Sequence, residues 1–248
     1  YFTTGWSNDK DNRTKGANHD NLGYRTHTIT FKKGKVYEIA FASIKEGKET
    51  QLNEQYFPKV GPLVAEYGAA GLGSFRVIGK IEGQIEPQMI VIFEWPSLAV
   101  KNKFHKDPRF LKISPLRDEA LSFFETSYYE VGEDVTVAFK ENKIYEFFGA
   151  WLTPEAEIAL PKYFEVSEPI KRSYGRLYPE FKVNLSPAKG LSSDHAYSPH
   201  MAGIVEWDKA EDYYILTSNE KFKKEAAPLM KKALARIDML QAKVIFQQ

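Results

Sequence analysis

Lys35-Val36-Tyr37-Glu38-Ile39-Ala40-Phe41-Ala42 returns later in the chain as Lys143-Ile144-Tyr145-Glu146-Phe147-Phe148-Gly149-Ala150, an offset of 143 − 35 = 108. The stretch from Tyr56-Phe57-Pro58 to Tyr67-Gly68 returns from Tyr163-Phe164-Glu165 to Tyr174-Gly175, and Glu94-Trp95 returns as Glu206-Trp207. The order is preserved, and the offset is far longer than the ~20–50 residues of a solenoid unit. The sequence therefore reads as one domain written twice: a polar N-terminal extension at 1–24, a first repeat at 25–131 and a second at 132–248.

Working outward, Thr26 to Phe31 alternates, Lys32-Lys33-Gly34 is a turn, and Lys35 to Ser43 alternates again, which reads as a β-hairpin. Asp134 to Phe139, Lys140-Glu141-Asn142 and Lys143 to Trp151 read the same way. Next comes a helical face with Leu52, Tyr56, Val60, Leu63, Val64 and Tyr67, which Pro58 and Pro62 should bend or split. Its copy runs from Ala156 to Tyr174, with prolines at 161 and 169. Both end in Tyr-Gly, where glycine can take the left-handed conformation that stops a helix.

Strands follow at Leu72–Ile81 and Gln88–Trp95, with copies at Phe181–Leu185 and Met201–Trp207. A second helical region, Ser97 to Leu121, is broken at Asp107-Pro108, and Tyr128 to Val131 closes the repeat; Lys209–Ala235 and Ala242–Phe246 correspond. The order β-α-β-β-α-β, carried twice, is the ferredoxin-like arrangement. Such a sheet has helices on one face and leaves the other bare. The expected fold is α+β: two tandem ferredoxin-like repeats packed sheet to sheet as an intramolecular barrel, joined at residues 132–134.

Composition bounds the function. Thirty-four Lys and Arg balance thirty-three Asp and Glu without a basic stripe, which argues against nucleic acid as a partner. The longest apolar run, Met89 to Phe93, is far short of the ~20 residues of a membrane span. The absence of cysteine excludes disulfides and thiolate chemistry. The first residue is Tyr1, which is expected to follow either an experimental truncation or a signal-peptidase cut, with a slight lean towards an exported or periplasmic protein. The extension is polar, and Tyr1, Phe2, Trp6 and Tyr24 are the residues expected to hold it against the body.

Val60-Gly61-Pro62-Leu63-Val64-Ala65-Glu66-Tyr67-Gly68, Ile81-Glu82-Gly83, Ile92-Phe93-Glu94-Trp95-Pro96-Ser97, Phe104 to Phe110 with Asp107-Pro108, and Pro115-Leu116-Arg117 resemble a bacterial domain family of unknown function in the dimeric α/β-barrel superfamily. The likeness covers most of residues 35–131, whereas 133–248 keep only Tyr174-Gly175, Glu206-Trp207, the Asn219 to Phe222 element and Pro228-Leu229. The family brings no catalytic residues. The resemblance implies a superfamily that includes cofactor-free monooxygenases of aromatic polyketides, lactone isomerases and tandem-domain haem enzymes; by fold alone none is assigned.

Candidate site residues come from differences between the copies. Tyr-Gly to Glu-Trp takes 94 − 68 = 26 positions in the first and 206 − 175 = 31 in the second, the extra residues falling in Ser192–His200. His195, His200 and Asp194 there offer imidazole and carboxylate ligands to a metal, or one axial histidine to a haem, although their spacing fits no standard motif and a surface loop with a turn-forming Ser-Pro is the favoured reading. Glu94 and Glu206 fall on otherwise apolar strand faces, where burial would raise a carboxyl pKa; pairing with Arg76, Arg117 or Lys182 is the structural reading. Arg76 and Lys182 occupy similar contexts, and Trp95, Trp151 and Trp207 suggest an aromatic cavity.

The expected function is binding of a small apolar or aromatic molecule, with no bound cofactor needed for chemistry. Glu146 or Glu206 would move a proton, His195 or His200 would give a second acid-base group, and Arg176, Lys182, Tyr197, Trp207, Glu94 and Arg76 would line the ligand site. The alternatives are a non-catalytic assembly module, possible as a homo-oligomer, and a metal or haem protein using the His195/His200 loop.

Overall fold

A computed structural model describes residues 18–19, 23–173 and 179–246. The strands are Asn18–His19 (β1), Arg25–Phe31 (β2), Val36–Ile44 (β3), Ala70–Glu82 (β4), Met89–Trp95 (β5), Leu121–Glu130 (β6), Val135–Lys140 (β7), Ile144–Leu152 (β8), Glu180–Pro187 (β9), Met201–Trp207 (β10) and Leu234–Val244 (β11). The helices are Phe57–Glu66 (α1), Leu98–Lys106 (α2), Pro108–Ala120 (α3), Ala156–Ser173 (α4), Asp212–Thr217 (α5) and Ala227–Ala233 (α6). Among the described residues, no helix is long and apolar enough to cross a membrane.

Eight strands close into an antiparallel barrel in the order β10-β8-β11-β4-β5-β3-β6-β9. The N-terminal half supplies the run β6-β3-β5-β4 and the C-terminal half β11-β8-β10-β9, so each half places its first strand beside its last and third. Alternation decides what each strand buries. Tyr37, Ile39 and Phe41 of β3 point into the barrel with Ile90 and Ile92, and there they meet Tyr145, Phe147, Leu185, Ile204 and Leu240 of the other half. Side chains fill this interior.

The two seams differ. β4 and β11 pair from Phe75↔Val244 to Glu82↔Met239, whereas β6 and β9 pair at Tyr129↔Pro187 and Glu130↔Ser186 alone. Beyond β9 the chain meets the edge of β6 at two points, the Ala188 N–H donating to the Tyr128 carbonyl at 2.9 Å and His195 Nε2 to the Thr126 carbonyl at 2.7 Å.

The expected hairpins are not formed. β3 already has β5 on one edge and β6 on the other, and β8 has β10 and β11, so neither keeps an edge for the strand before it. β2 and β7 pair with each other instead, from Thr26↔Lys140 to Phe31↔Val135, as a ribbon extended by β1. The ribbon adds Ile29, Phe31, Val137 and Phe139 to the barrel core, all of them buried. Arg25 closes one end on Glu141 through a 2.7 Å contact.

Two matching relays tie the ribbon to the barrel. The Lys32 N–H donates to the Tyr37 hydroxyl (2.6 Å), which donates to Glu94 Oε2 (2.9 Å). The Lys140 N–H donates to the Tyr145 hydroxyl (2.6 Å), which donates to Glu206 Oε2 (2.9 Å). Glu94 and Glu206 are thus the buried ends of ribbon anchors.

The helices pack outside. The break expected at Asp107-Pro108 separates α2 from α3, because Pro108 starts a new helix that Asp107 caps by accepting from the Arg109 N–H at 2.8 Å. Asp107 also holds the Tyr67 hydroxyl (2.8 Å) and Arg109, which bridges to Glu66, so α1 is clamped to the α2–α3 corner. Gly68, at φ +74°, ends α1 as expected. Before α1, Gln51–Tyr56 forms a π-helical turn, and the prolines of α4 leave it a single helix. β6 and β11 begin well before their expected positions. Tyr174-Gly175 and the residues 1–17 and 20–22 of the extension, including Tyr1, Phe2 and Trp6, lie outside the described residues; Tyr24 is half-buried.

Phe139 meets Phe75 and Tyr145 with ring centroids 4.9 Å away in each case. Phe139→Ala should lower the unfolding free energy in urea by about 3–5 kcal/mol, while Thr136→Ala on the exposed side of β7 should cost about 0.5 kcal/mol or less. Equal costs would show that the ribbon does not plug the barrel.

Candidate functional site

The outer face of β3 carries Glu38, Ala40 and Ala42, and the two alanines leave space between the sheet and the helices unfilled. The gap is a cavity of about 80 Å³, bounded by the π-helical turn, α1, α2, α3 and the start of β6. Its walls are aromatic: Tyr56, Phe57, Phe93, Trp95, Phe104 and Phe110, with Phe124, 36% exposed, at the edge. Besides the Tyr56 phenol, three ionisable groups line it, Glu38, His105 and Arg117.

Each is held differently. Glu38 accepts from Trp95 Nε1 (3.0 Å), Thr126 Oγ1 (2.7 Å) and the Tyr128 hydroxyl (3.2 Å). His105 stacks on Phe110 at 5.3 Å. Burial, assisted by Lys101, Arg117 and His195, pushes its pKa down to about 4, so the imidazole is neutral at pH 7. The Arg117 guanidinium lies over Phe110 (5.8 Å) and Phe124 (4.7 Å) and pairs with the exposed Asp118. Burial also raises the Tyr56 phenol to about 12. The result is an aromatic slot with one largely buried cation, one neutral imidazole and the Glu38 carboxyl group, the last engaged by Trp95, Thr126 and Tyr128.

The C-terminal half builds the same spot with other donors. Glu146 occupies on β8 the position of Glu38 on β3, beside Trp207 in place of Trp95. Across the next strand, however, Glu38 faces Tyr128 and Ala40 faces Thr126, whereas Glu146 faces Gln241 and Phe148 faces Met239. Both hydroxyl donors are gone, and Gln241 donates to the Ala210 carbonyl instead. Trp207 Nε1 stands near Glu146 without completing a hydrogen bond. Burial therefore dominates, and the Glu146 pKa rises to about 7 despite Trp207 and Lys171.

The expected site residues do not converge. Glu94 and Glu206 lie inside the barrel, and Lys182 reaches Glu206 at 3.7 Å and Glu180 at 2.8 Å. Lys182 is the extra residue of a bulge opposite Ile204 and Val205; the matching bulge residue in the first half is Leu72, so Lys182 and Arg76 are not counterparts. Arg76 is exposed on β4. Tyr197 is buried in the core, its hydroxyl donating to Asp238 at 3.0 Å. Trp151 packs on Tyr197 and Arg236, away from the cavity. Arg176 lies outside the described residues.

The two loop histidines also part ways. His195 Nε2 donates to the Thr126 carbonyl at 2.7 Å, while the exposed His200 accepts from the Leu152 N–H at Nδ1, 2.9 Å away. Asp194 is bonded by Ser192. Among the described residues no three His, Asp or Glu side chains form a group able to hold a metal ion. Nor do these residues fit a haem. The cavity is smaller than the roughly 150 Å³ that accepts one benzene, and both imidazoles face backbone groups.

Residues 35–125 match the family described as Domain of unknown function (DUF1330), a stretch that includes β3, α1, α2 and α3 and every residue lining the cavity. No curated protein matches. Among solved structures, an anthrone oxidase-like protein is 15% identical with a TM-score of 0.54, covering 88% of this chain and 94% of that one. A mutant chlorite dismutase from Candidatus Nitrospira defluvii is 11% identical with a TM-score of 0.50, covering 86% and 92%. The fold is thus a mixed α+β fold of the kind these two proteins share.

His105, Arg117 and Tyr56 were not singled out from sequence as site residues. Their common wall is made by three helical pieces interrupted by prolines, so no single period joins them. The one available signal was that the family likeness is concentrated in the half that holds them.

Glu146 gives a test of the buried-acid geometry. A carboxyl pKa raised on folding favours the protonated folded state, so that stabilisation is complete below about pH 4.3 and fades as pH rises through about 7. Glu146→Gln stays neutral throughout. Its stability relative to wild type, from urea melts, should therefore rise by about 2–3 kcal/mol between pH 4.5 and pH 8. A pH-independent difference would show that Glu146 is solvated.

Proposed function

We propose that the protein binds a small apolar or single-ring aromatic molecule bearing one acidic oxygen, at the mouth of the cavity between β3 and helices α1–α3, which is too small to enclose a whole ring. The observation that carries this reading is the pairing of aromatic walls with the Arg117 guanidinium, a cation that is 22% exposed. A phenol or enol would slide its ring edge between Phe93, Phe110 and Phe124, with the rest at the mouth. Its oxygen would meet Arg117, and neutral His105 would take or give a hydrogen bond. A desolvated guanidinium favours the ionised oxygen, so the site lowers the cost of forming a phenolate or enolate without a bound cofactor. That is the first step of a cofactor-free oxygenation or isomerisation. The likeness to an anthrone oxidase-like protein agrees with it as an analogy of fold.

We read the two halves as a tandem ferredoxin-like duplication. Their shared strand order and matching Tyr–Glu relays support this. In that reading the first half keeps the binding slot and the second has exchanged its donors. A non-catalytic assembly role is the second reading, favoured by the filled barrel interior. The slot outside the barrel speaks for a ligand.

4-Nitrophenol tests the proposal, because its visible band reports ionisation. Wild type should bind it as the phenolate, and Arg117→Leu should weaken binding by about tenfold or more, the loss of one charge-assisted contact. Phe124→Ala should widen the mouth and leave the phenolate signal in place. Equal binding by wild type and Arg117→Leu, or none by wild type, would contradict the site.

A further inference from the structure

The barrel seam between β6 and β9 raises a question that the cavity answers. β6 loses its partner strand after Tyr129↔Pro187, which would leave the carbonyls of Tyr128 and Thr126 on an open edge. The loop from the C-terminal half supplies both missing donors. Ala188 gives a backbone N–H to Tyr128, and His195 gives a side-chain N–H to Thr126 at 2.7 Å. The His195 ring also stands edge-on to Tyr128, with centroids 5.7 Å apart. A histidine thus does what a ladder amide would do.

Those two residues are the ones whose hydroxyls hold Glu38. Thr126 Oγ1 and the Tyr128 hydroxyl both donate to Glu38 Oε2, and Glu38 Oε1 takes the Trp95 indole N–H from the opposite wall. Fixing the edge of β6 therefore fixes both ends of the polar wall. The same loop seats Leu191 and Ala188 in the apolar cluster that surrounds the cavity.

We propose that His195 is a positioning residue for the cavity of the N-terminal half, so that the ligand site is completed by the inserted loop of the C-terminal half. The proposal rests on the ligand reading above and names what controls that site. Without the His195 bond, β6 is free to lift at Thr126, the hydroxyls drift from Glu38, and the Trp95 side of the slot loosens. The extra residues of the second half then have a purpose: they carry a side chain across the seam to the site of the first.

The test uses the full chain with two substitutions. His195→Phe keeps a ring against Tyr128 and removes the donor, whereas His195→Gln keeps an N–H donor. Two readouts are followed: the affinity for 4-nitrophenol, and the NMR position of the Trp95 indole N–H, assigned by its loss in Trp95→Phe. His195→Phe should move the Trp95 resonance and weaken 4-nitrophenol binding by about tenfold, the size of one lost hydrogen bond. His195→Gln should restore both largely to wild type. If His195→Phe leaves the resonance and the affinity unchanged while Arg117→Leu still weakens binding, the loop only protects a strand edge and the inference falls, with the ligand site intact. If wild type binds no 4-nitrophenol yet His195→Phe moves the resonance and His195→Gln does not, the positioning role stands and the ligand reading falls.

Discussion

A sheet that carries helices on one face has a second face that water cannot be allowed to keep. Here that face bears Tyr37, Ile39, Phe41, Phe75, Ile90 and Ile92 in one half and Tyr145, Phe147, Val183, Leu185 and Ile204 in the other. At roughly 25 cal/mol per Å² of apolar surface, leaving either face exposed would cost as much as the roughly 5–15 kcal/mol of net stability of an ordinary domain. The two faces are buried against one another, and the other principal features follow. The ribbon of β2 and β7 seals the core, the Tyr–Glu relays hold the ribbon, and the cavity lies on the helical side.

Much of this was legible in the alternation of the sequence. Alternation put Glu94 on one strand face with Ile90 and Ile92, and the structure turns that face, and Glu206 in the other half, towards the barrel interior. The break at Asp107-Pro108 and the stop at Gly68 were equally plain, because proline and glycine act locally. The ribbon was not legible. Lys32-Lys33-Gly34 looks like a hairpin turn whether or not the flanking strands pair, and only the occupied edges of β3 and β8 force the partner to change. Local chemistry sets a turn; the sheet as a whole sets who pairs with whom.

The site was less legible for a related reason. The histidines of the Ser192–His200 insertion drew attention because they distinguish the halves, yet one of them works on the edge of β6 and the other on the backbone of β8. What they mark is the weak seam of the barrel, where β6 and β9 part company. The cavity itself is assembled from Glu38, His105 and Arg117, which lie on a strand and two helices separated by a proline. No spacing rule brings those three together, whereas burial and charge do so at once.

Because both sheets share one core, neither half should retain its inner strands when the other unfolds. Native-state hydrogen exchange resolved by residue, in increasing urea, measures this directly. The amides of β3 in the N-terminal half and β8 in the C-terminal half should exchange through one opening, with the same free energy and the same urea dependence. Two separate openings, one for each half, would contradict the shared interior on which this account stands.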